Sequence, residues 1–292
     1  MSQTSFKAET GKEQALVLQK LLEQTFEEEG FPVSGFENMD KPDEWEVGIY
    51  VPTEQADEIH TKIKSAMKTA GTEVEFVRED LPETDWVSMT LRELVPVRAG
   101  RFIVHGSHDR DAPRPHETAI QIDAGLAFGT GHHGTTAGCL DMLDRVLKRN
   151  SFFNALDLGT GSGVLAIAIA KATEAHVLAS DIDPTSTITA RENTRKNGTH
   201  AQIECITAAG FSHPRMGEQA PFDLVIANIL ARPLQAMALN ISLHTAKGGT
   251  VILSGLLPHQ RSPIIARFRS HGLHLQHSHV RDGWLVLVFE KP

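Results

Sequence analysis

The chain has 292 residues, 40% of them apolar and 22% charged, with a net charge of −9. That length exceeds one domain of roughly 100 to 200 residues, so two domains are expected, and the composition lies far from disordered or fibrous sequences. The acidic balance argues against a general nucleic-acid binder while leaving a local basic patch open, and the absence of a signal peptide or membrane-length apolar run makes the cytoplasm the expected compartment.

Residues 5–9 read as a strand, and residues 12–29 place Ala15, Leu18, Leu22 and Phe26 at helical spacing. Gly30 and Pro32 end that helix, and residues 32–38 and 45–51 read as two strands around the turn-rich Asp40-Lys41-Pro42-Asp43. A second helix over 53–70 carries Ala56, Ile59, Ile63 and Met67 on one face, and a strand over 73–78 follows. The order βαββαβ is the ferredoxin-like pattern, an α+β sandwich that more often serves binding than chemistry when attached to an enzyme. Residues 79–94, with Pro82 near their start, predict a linking helix. The expected organisation is therefore a ferredoxin-like domain over 1–80, a linker helix over 81–97 and a second domain over 98–292.

Beyond residue 101 a prelude of strand and loop leads to a helix over 139–147 and then to a regular alternation. Strands are expected over 153–158, 176–181, 222–230 and 249–254, with helices over 164–173, 184–197, 234–243 and 259–271. Such alternation predicts an α/β domain with a parallel sheet. Two closing strands over 273–279 and 284–289, joined through Asp282-Gly283, predict an antiparallel hairpin at one edge.

The densest local signal is Asp157-Leu158-Gly159-Thr160-Gly161-Ser162-Gly163 between a predicted strand and a predicted helix. Glycines there let the backbone turn sharply and approach a ligand closely. The spacing is Gly-x-Gly-x-Gly, not the Gly-x-Gly-x-x-Gly of dinucleotide sites, and Asp157 would disfavour a pyrophosphate. A cationic sulfonium with an amino-acid tail suits that carboxylate better. Asp181 ends the next strand 22 positions beyond Gly159, where an acid can accept both hydroxyl protons of a ribose. Asp183 reads as the cap of the helix beginning at Pro184. Downstream, the strand over 224–227 runs into Asn228-Ile229-Leu230-Ala231-Arg232-Pro233-Leu234, and Asn228 should face the same crevice as Gly159 and Asp181.

Other chemistries find less support. Cys139 and Cys205 form no Cys-x-x-Cys pair, which argues against a disulfide framework or a cysteine-built zinc site. The 15 histidines include no His-x-x-x-His pairing with a carboxylate on a helix, so no metal is expected, and His274, His277 and His279 read as a solvated edge strand. Ser162 lacks the Gly-x-Ser-x-Gly nucleophile elbow. Adenine methyltransferases place Asn or Asp, two prolines and an aromatic ring after the corresponding strand, whereas Ile229-Leu230-Ala231 offers no ring to stack on a base.

Taken with the loop Phe128-Gly129-Thr130-Gly131-His132-His133-Gly134-Thr135-Thr136, these motifs resemble the bacterial methyltransferases of large-subunit ribosomal protein L11. The match is strong over about residues 120–235, and the βαββαβ order extends it loosely to the whole chain. The resemblance implies a class I Rossmann-like methyltransferase domain, S-adenosylmethionine as methyl donor and S-adenosylhomocysteine as product. It implies transfer to lysine side chains and an N-terminal α-amine of ribosomal protein L11, with the small domain recruiting that protein and neither a membrane nor a specific DNA site involved. The family's cofactor contacts fall on Thr136, Gly159, Asp181 and Asn228, to which Asp157 and Gly161 are added from the reading of the loop. Asn228 is also expected to orient the reactants, and His132 or His133 is a candidate proton acceptor. The loop departs from the commoner Gly-Thr-Gly-Thr-His-Pro-Thr-Thr, with His132 and Gly134 at the threonine and proline positions. A methyltransferase for another protein or a small amine, and a ribosome-assembly binding factor with a vestigial cofactor fold, are the alternatives; a cofactor-binding test separates the second.

Overall fold

In the computed structural model, residues 3–26, 29–37, 44–72, 74–81, 96–122 and 134–292 are described. The chain divides into two compact units, Met1–Met89 and Thr90–Pro292.

The first unit follows the predicted element order. Strands β1 (Gln3–Gly11), β2 (Val33–Glu37), β3 (Glu44–Pro52) and β4 (Val77–Leu81) form an antiparallel sheet in the order β2-β3-β1-β4. Helices α1 (Lys12–Thr25) and α2 (Ala56–Thr69) bury the residues singled out by periodicity: Ala15, Leu18 and Leu22 on α1, and Ala56, Ile59, Ile63 and Met67 on α2. They enclose a core with Phe6, Val47, Ile49 and Val51. The last strand is displaced from its expected place over 73–78. Its pairing with β1 runs from Lys7↔Val77 to Gln3↔Leu81, so the charged Arg78, Glu79 and Asp80, which a reading based on apolar alternation discounts, form the strand. An edge strand tolerates such residues because one side of its ladder meets solvent. The expected linker helix lies mostly outside the described residues.

In the second unit, short strands β5 (Val97–Ala99), β6 (Phe102–His105) and β7 (Thr118–Gln121) make a three-stranded sheet where the sequence suggested only strand and loop. The principal sheet has seven strands: β8 (Asn154–Leu158), β9 (His176–Asp181), β10 (Ile203–Thr207), β11 (Phe222–Asn228), β12 (Thr245–Leu256), β13 (His274–Arg281) and β14 (Trp284–Glu290), in the order β10-β9-β8-β11-β12-β14-β13. The pairs among β8 to β12 are parallel, and β14 runs antiparallel to both β12 and β13. Helices α3 (Gly134–Leu147), α4 (Val164–Ala172) and α5 (Pro184–Lys196) alternate with the central strands, followed by α6 (Pro214–Gln219), α7 (Ala231–His244) and α8 (Arg261–Arg269).

Both faces of this sheet are covered, as its near-continuous apolar strands require. Along β11, Leu224 and Ile226 enter a core with α3 and α4, while Val225 and Ala227 enter a second core with α7 and α8. The predicted hairpin forms, with Asp282 (φ 49°) and Gly283 (φ 82°) supplying the left-handed backbone of a two-residue turn. Strand β10 and helix α6 are additions to the sequence reading. Among the described residues no helix is long and apolar enough to cross a membrane.

Candidate active site

The strand order reverses between β8 and β11: β9 and β10 lie on one side, β12, β14 and β13 on the other. In an open α/β sheet the crevice beyond the carboxyl ends of the strands at such a reversal is where ligands bind. The residues ending β8, β9 and β11 are Leu158, Asp181 and Asn228, so the three sequence motifs converge on one place.

The loop after β8 turns through three glycines in the left-handed region, Gly159 (φ 76°), Gly161 (φ 53°) and Gly163 (φ 84°). A side chain at Gly159 would also drive into Ile229 Cγ2. Its path is fixed by Gly159 N and Thr160 N, which donate to the Ser180 carbonyl at 2.8 and 2.9 Å. Asn193 Nδ2 donates to the Ser162 carbonyl at 2.9 Å from α5.

Asp181 holds the same loop from the side. Its Oδ2 accepts from Gly161 N at 2.8 Å, and its Oδ1 accepts from Asp183 N at 3.0 Å. Each carboxylate oxygen has a further lone-pair site, and the residue is partly exposed, so two more donors can be received. Asp183 caps α5 as expected, accepting from Thr185 N at 3.0 Å and Ser186 N at 3.1 Å.

Asp157 is fully buried. Its Oδ2 accepts from Thr160 Oγ1 at 2.6 Å and from Ala166 N at 3.0 Å, whereas Oδ1 has no partner among the described residues. Burial pushes this carboxyl up to about 7, against the hydrogen bonds that pull it down. Around neutral pH the group is partly protonated, which weakens the Coulomb attraction for a cation expected from the sequence. Its contacts tie the loop to the first turn of α4.

The raised value has a testable sign. The unfolded carboxyl loses its proton near 3.8, but the folded one keeps it up to about 7, so stability falls as pH rises across that window. The full effect is about 4 kcal/mol. An Asp157→Asn protein should lack this slope, giving a urea midpoint that rises relative to the parent between pH 4 and 7. Parallel pH profiles for the two proteins would refute the assignment.

Asn228 points its amide at α3, with Nδ2 at 3.3 Å from Thr136 Oγ1 and 3.4 Å from Thr135 Oγ1. Ser254 Oγ, on β12, donates to the Thr135 carbonyl at 3.3 Å and so secures the first turn of α3 from below. Sequence reasoning missed Thr135, Ser254 and Asn193 as members of this constellation. A parallel-sheet reading could have flagged Ser254 near the carboxyl end of its strand, but nothing local marks Asn193. Thr136, Gly159, Gly161, Asp157, Asp181 and Asn228 are all present in one region, whereas His132 and His133 lie outside the described residues. Among the described residues no cluster of three or more His, Cys, Asp or Glu could hold a metal.

A family model described as "Ribosomal protein L11 methyltransferase (PrmA)" matches residues 10–292. A Rhizobium etli protein named "Ribosomal protein L11 methyltransferase" is 48% identical over 294 residues, covering 100% of both chains. A Rhizobium meliloti protein of the same name is 45% identical over 289 residues, covering 98% of this chain and 99% of the relative. The crystal structure of a ribosomal protein L11 methylase from Lactobacillus delbrueckii subsp. bulgaricus is similar at a TM-score of 0.61 and 27% identity, covering 68% of this chain and 99% of that one.

Proposed function

The chain belongs to the ribosomal protein L11 methyltransferase family, and from that membership we propose that it transfers methyl groups from S-adenosylmethionine to amines of ribosomal protein L11, free or on the ribosome, in the cytoplasm. The observation that carries the cofactor assignment is the convergence of Asp181, the glycine loop and Asn228 on the point where the strand order reverses. We read the second unit as a class I Rossmann-like methyltransferase domain on its seven-stranded order, with residues 98–292 as its extent. The first unit is ferredoxin-like on its βαββαβ order, and residues 1–80 recruit the ribosomal protein.

The residues present fit the cofactor. Left-handed glycines leave the loop without side chains on its ligand side, and Asp181 retains acceptor capacity for both ribose hydroxyls after anchoring Gly161 and Asp183. Thr136, Gly159 and Asn228 line the remaining contacts, and Asp157 with Gly161 sets the loop's shape. When bound, the cofactor supplies an electrophilic methyl group on a sulfonium and leaves as S-adenosylhomocysteine.

What the chain itself must do is present a neutral amine in line with that methyl. A lysine at its ordinary value is deprotonated in about one molecule in 2,500 at pH 7, a cost of about 4.6 kcal/mol, whereas an α-amine costs about 1 kcal/mol. Desolvation of the acceptor offsets part of the lysine cost because it disfavours the ammonium form. Asn228 orients the acceptor or the donor through its amide, and alignment in a water-poor crevice supplies most of the acceleration.

The test is incubation of the protein with labelled S-adenosylmethionine and large ribosomal proteins from cells lacking this gene, with methyl groups located by mass spectrometry. Label on lysines and the amino terminus of ribosomal protein L11 is the expected result. Label confined to RNA, a small amine or another protein overturns the substrate assignment, and tight cofactor binding without any label overturns catalysis.

A further inference from the structure

No Asp or Glu occurs anywhere from Leu224 to Arg281, although the chain as a whole carries a net charge of −9. The same stretch holds Arg232, Lys247, Arg261, Arg267, Arg269 and Arg281, together with six histidines. Its last two elements, α8 and β13, lie at the open edge of the seven-stranded sheet.

The fold adds further cations to that edge. Strand β13 carries a register shift between Leu275 and His277, so His277 pairs with Val288 and His279 with Val286. Val286 and Val288 belong to the core on the α3 side, which sets His277 and His279 on that side too. There Arg145 and Arg149 of the α3 end oppose His277, and partial burial, followed by the charge of these two arginines, holds its imidazole below its usual range. Both arginines are exposed and have no acidic partner among the described residues, whereas neighbouring Lys148 and Arg101 share Asp144 as their ion-pair partner. On the opposite side of the strand Arg261 Nε donates to Ser278 Oγ at 3.1 Å, and Arg269 lies exposed at the end of the same helix. Cations in the last turns of α3 and α8 complement the helix dipoles. That accounts for their place on each helix but not for the absence of acids from Leu224 to Arg281, which leaves exposed Glu290, opposite His274, and Asp282, beside Arg281, as acids bordering the edge.

We propose that this edge, from Arg145 and Arg149 across β13 to Arg261 and Arg269, is a docking surface for the phosphate backbone of RNA. Guanidinium groups match phosphate oxygens in a bidentate fork. The exposed His274 and the partly exposed His277 and His279 give flat rings on which unstacked bases can lie, a contact that an acidic peptide does not use. Recognition by charge and stacking is independent of base sequence and weakens with salt as counterions are released. The surface lies apart from the carboxyl ends of β8, β9 and β11, so RNA binding and methyl transfer are separable.

The experiment measures fluorescence anisotropy of a labelled single-stranded RNA of mixed sequence titrated with the full-length protein from 50 to 200 mM salt, beside an Arg145→Glu/Arg149→Glu protein and an Arg269→Glu protein. The expected result is saturable binding that weakens at least tenfold over that salt range, and at least tenfold again in the double variant, with thermal midpoints and cofactor affinity unchanged. A milder Arg145→Ala/Arg149→Ala protein should lose less affinity and show a shallower salt slope. Absence of RNA binding at the lowest salt, equal binding by parent and variants, or tighter binding of polyglutamate than of RNA would overturn the proposal. None of these readings depends on which amine is methylated, so failure here is distinguishable from failure of the proposed function.

Discussion

An Asp181→Ala protein is expected to bind S-adenosylmethionine about 10³-fold more weakly than the parent while unfolding cooperatively. Two losses combine. The carboxylate is the proposed acceptor for two ribose hydroxyls, and a hydrogen bond to a charged group contributes about 1.5 to 3 kcal/mol. The same oxygens accept from Gly161 N and Asp183 N, so the glycine loop loses its lateral anchor and must be ordered by the ligand. Asp181→Asn should fall between the two, since one oxygen survives and the amide presents a donor to a backbone donor. Isothermal titration with S-adenosylhomocysteine measures the effect without turnover. A dissociation constant within threefold of the parent would remove Asp181 from the site.

Substitution of Asn228 should act on rate more than on affinity. In Asn228→Ala the amide no longer bridges to Thr135 and Thr136, and the β11 end loses its side-chain link to the first turn of α3, which Ser254 then holds alone through the Thr135 carbonyl. Misplacement by about 1 Å costs on the order of 10²-fold in rate when reactants must be aligned, so kcat should fall by that factor. Cofactor affinity should fall less than tenfold, because Asp181 and the loop remain. Single-turnover methylation and a cofactor titration on the same preparation separate these quantities. An unchanged kcat would show that Asn228 does not orient the reaction.

The glycine loop, Asp181, Asp183 and Asn228 were readable because each signal is local. A left-handed turn demands glycine, a helix start favours a capping carboxylate, and a residue ending a strand in an alternating α/β pattern faces the ligand crevice. Apolar periodicity likewise marked the buried faces of α1 and α2 residue by residue. It failed for β4, where an edge strand is built from charged residues, and for β10, a five-residue strand (Ile203–Thr207). Strand β10 is also an edge strand, where Glu204 and Thr207 interrupt the apolar run, so its pairing with β9 decides it.

The sequence by itself therefore determined the βαββαβ order of the first unit, the central strand–helix alternation of the second apart from β10 and α6, and the left-handed glycine loop, all of which depend on neighbours a few positions apart. Tertiary structure alone decided that Thr135 meets Ser254 across 119 positions and Asn228 across 93. It alone decided that Asp157 is buried deeply enough to hold its proton to about pH 7. It likewise set His277 against Arg145 and Arg149 by a shift in strand register. Such contacts follow from the order in which strands join the sheet, because that order selects which distant residues share a strand end, and burial and electrostatic neighbours are then set by what packs there.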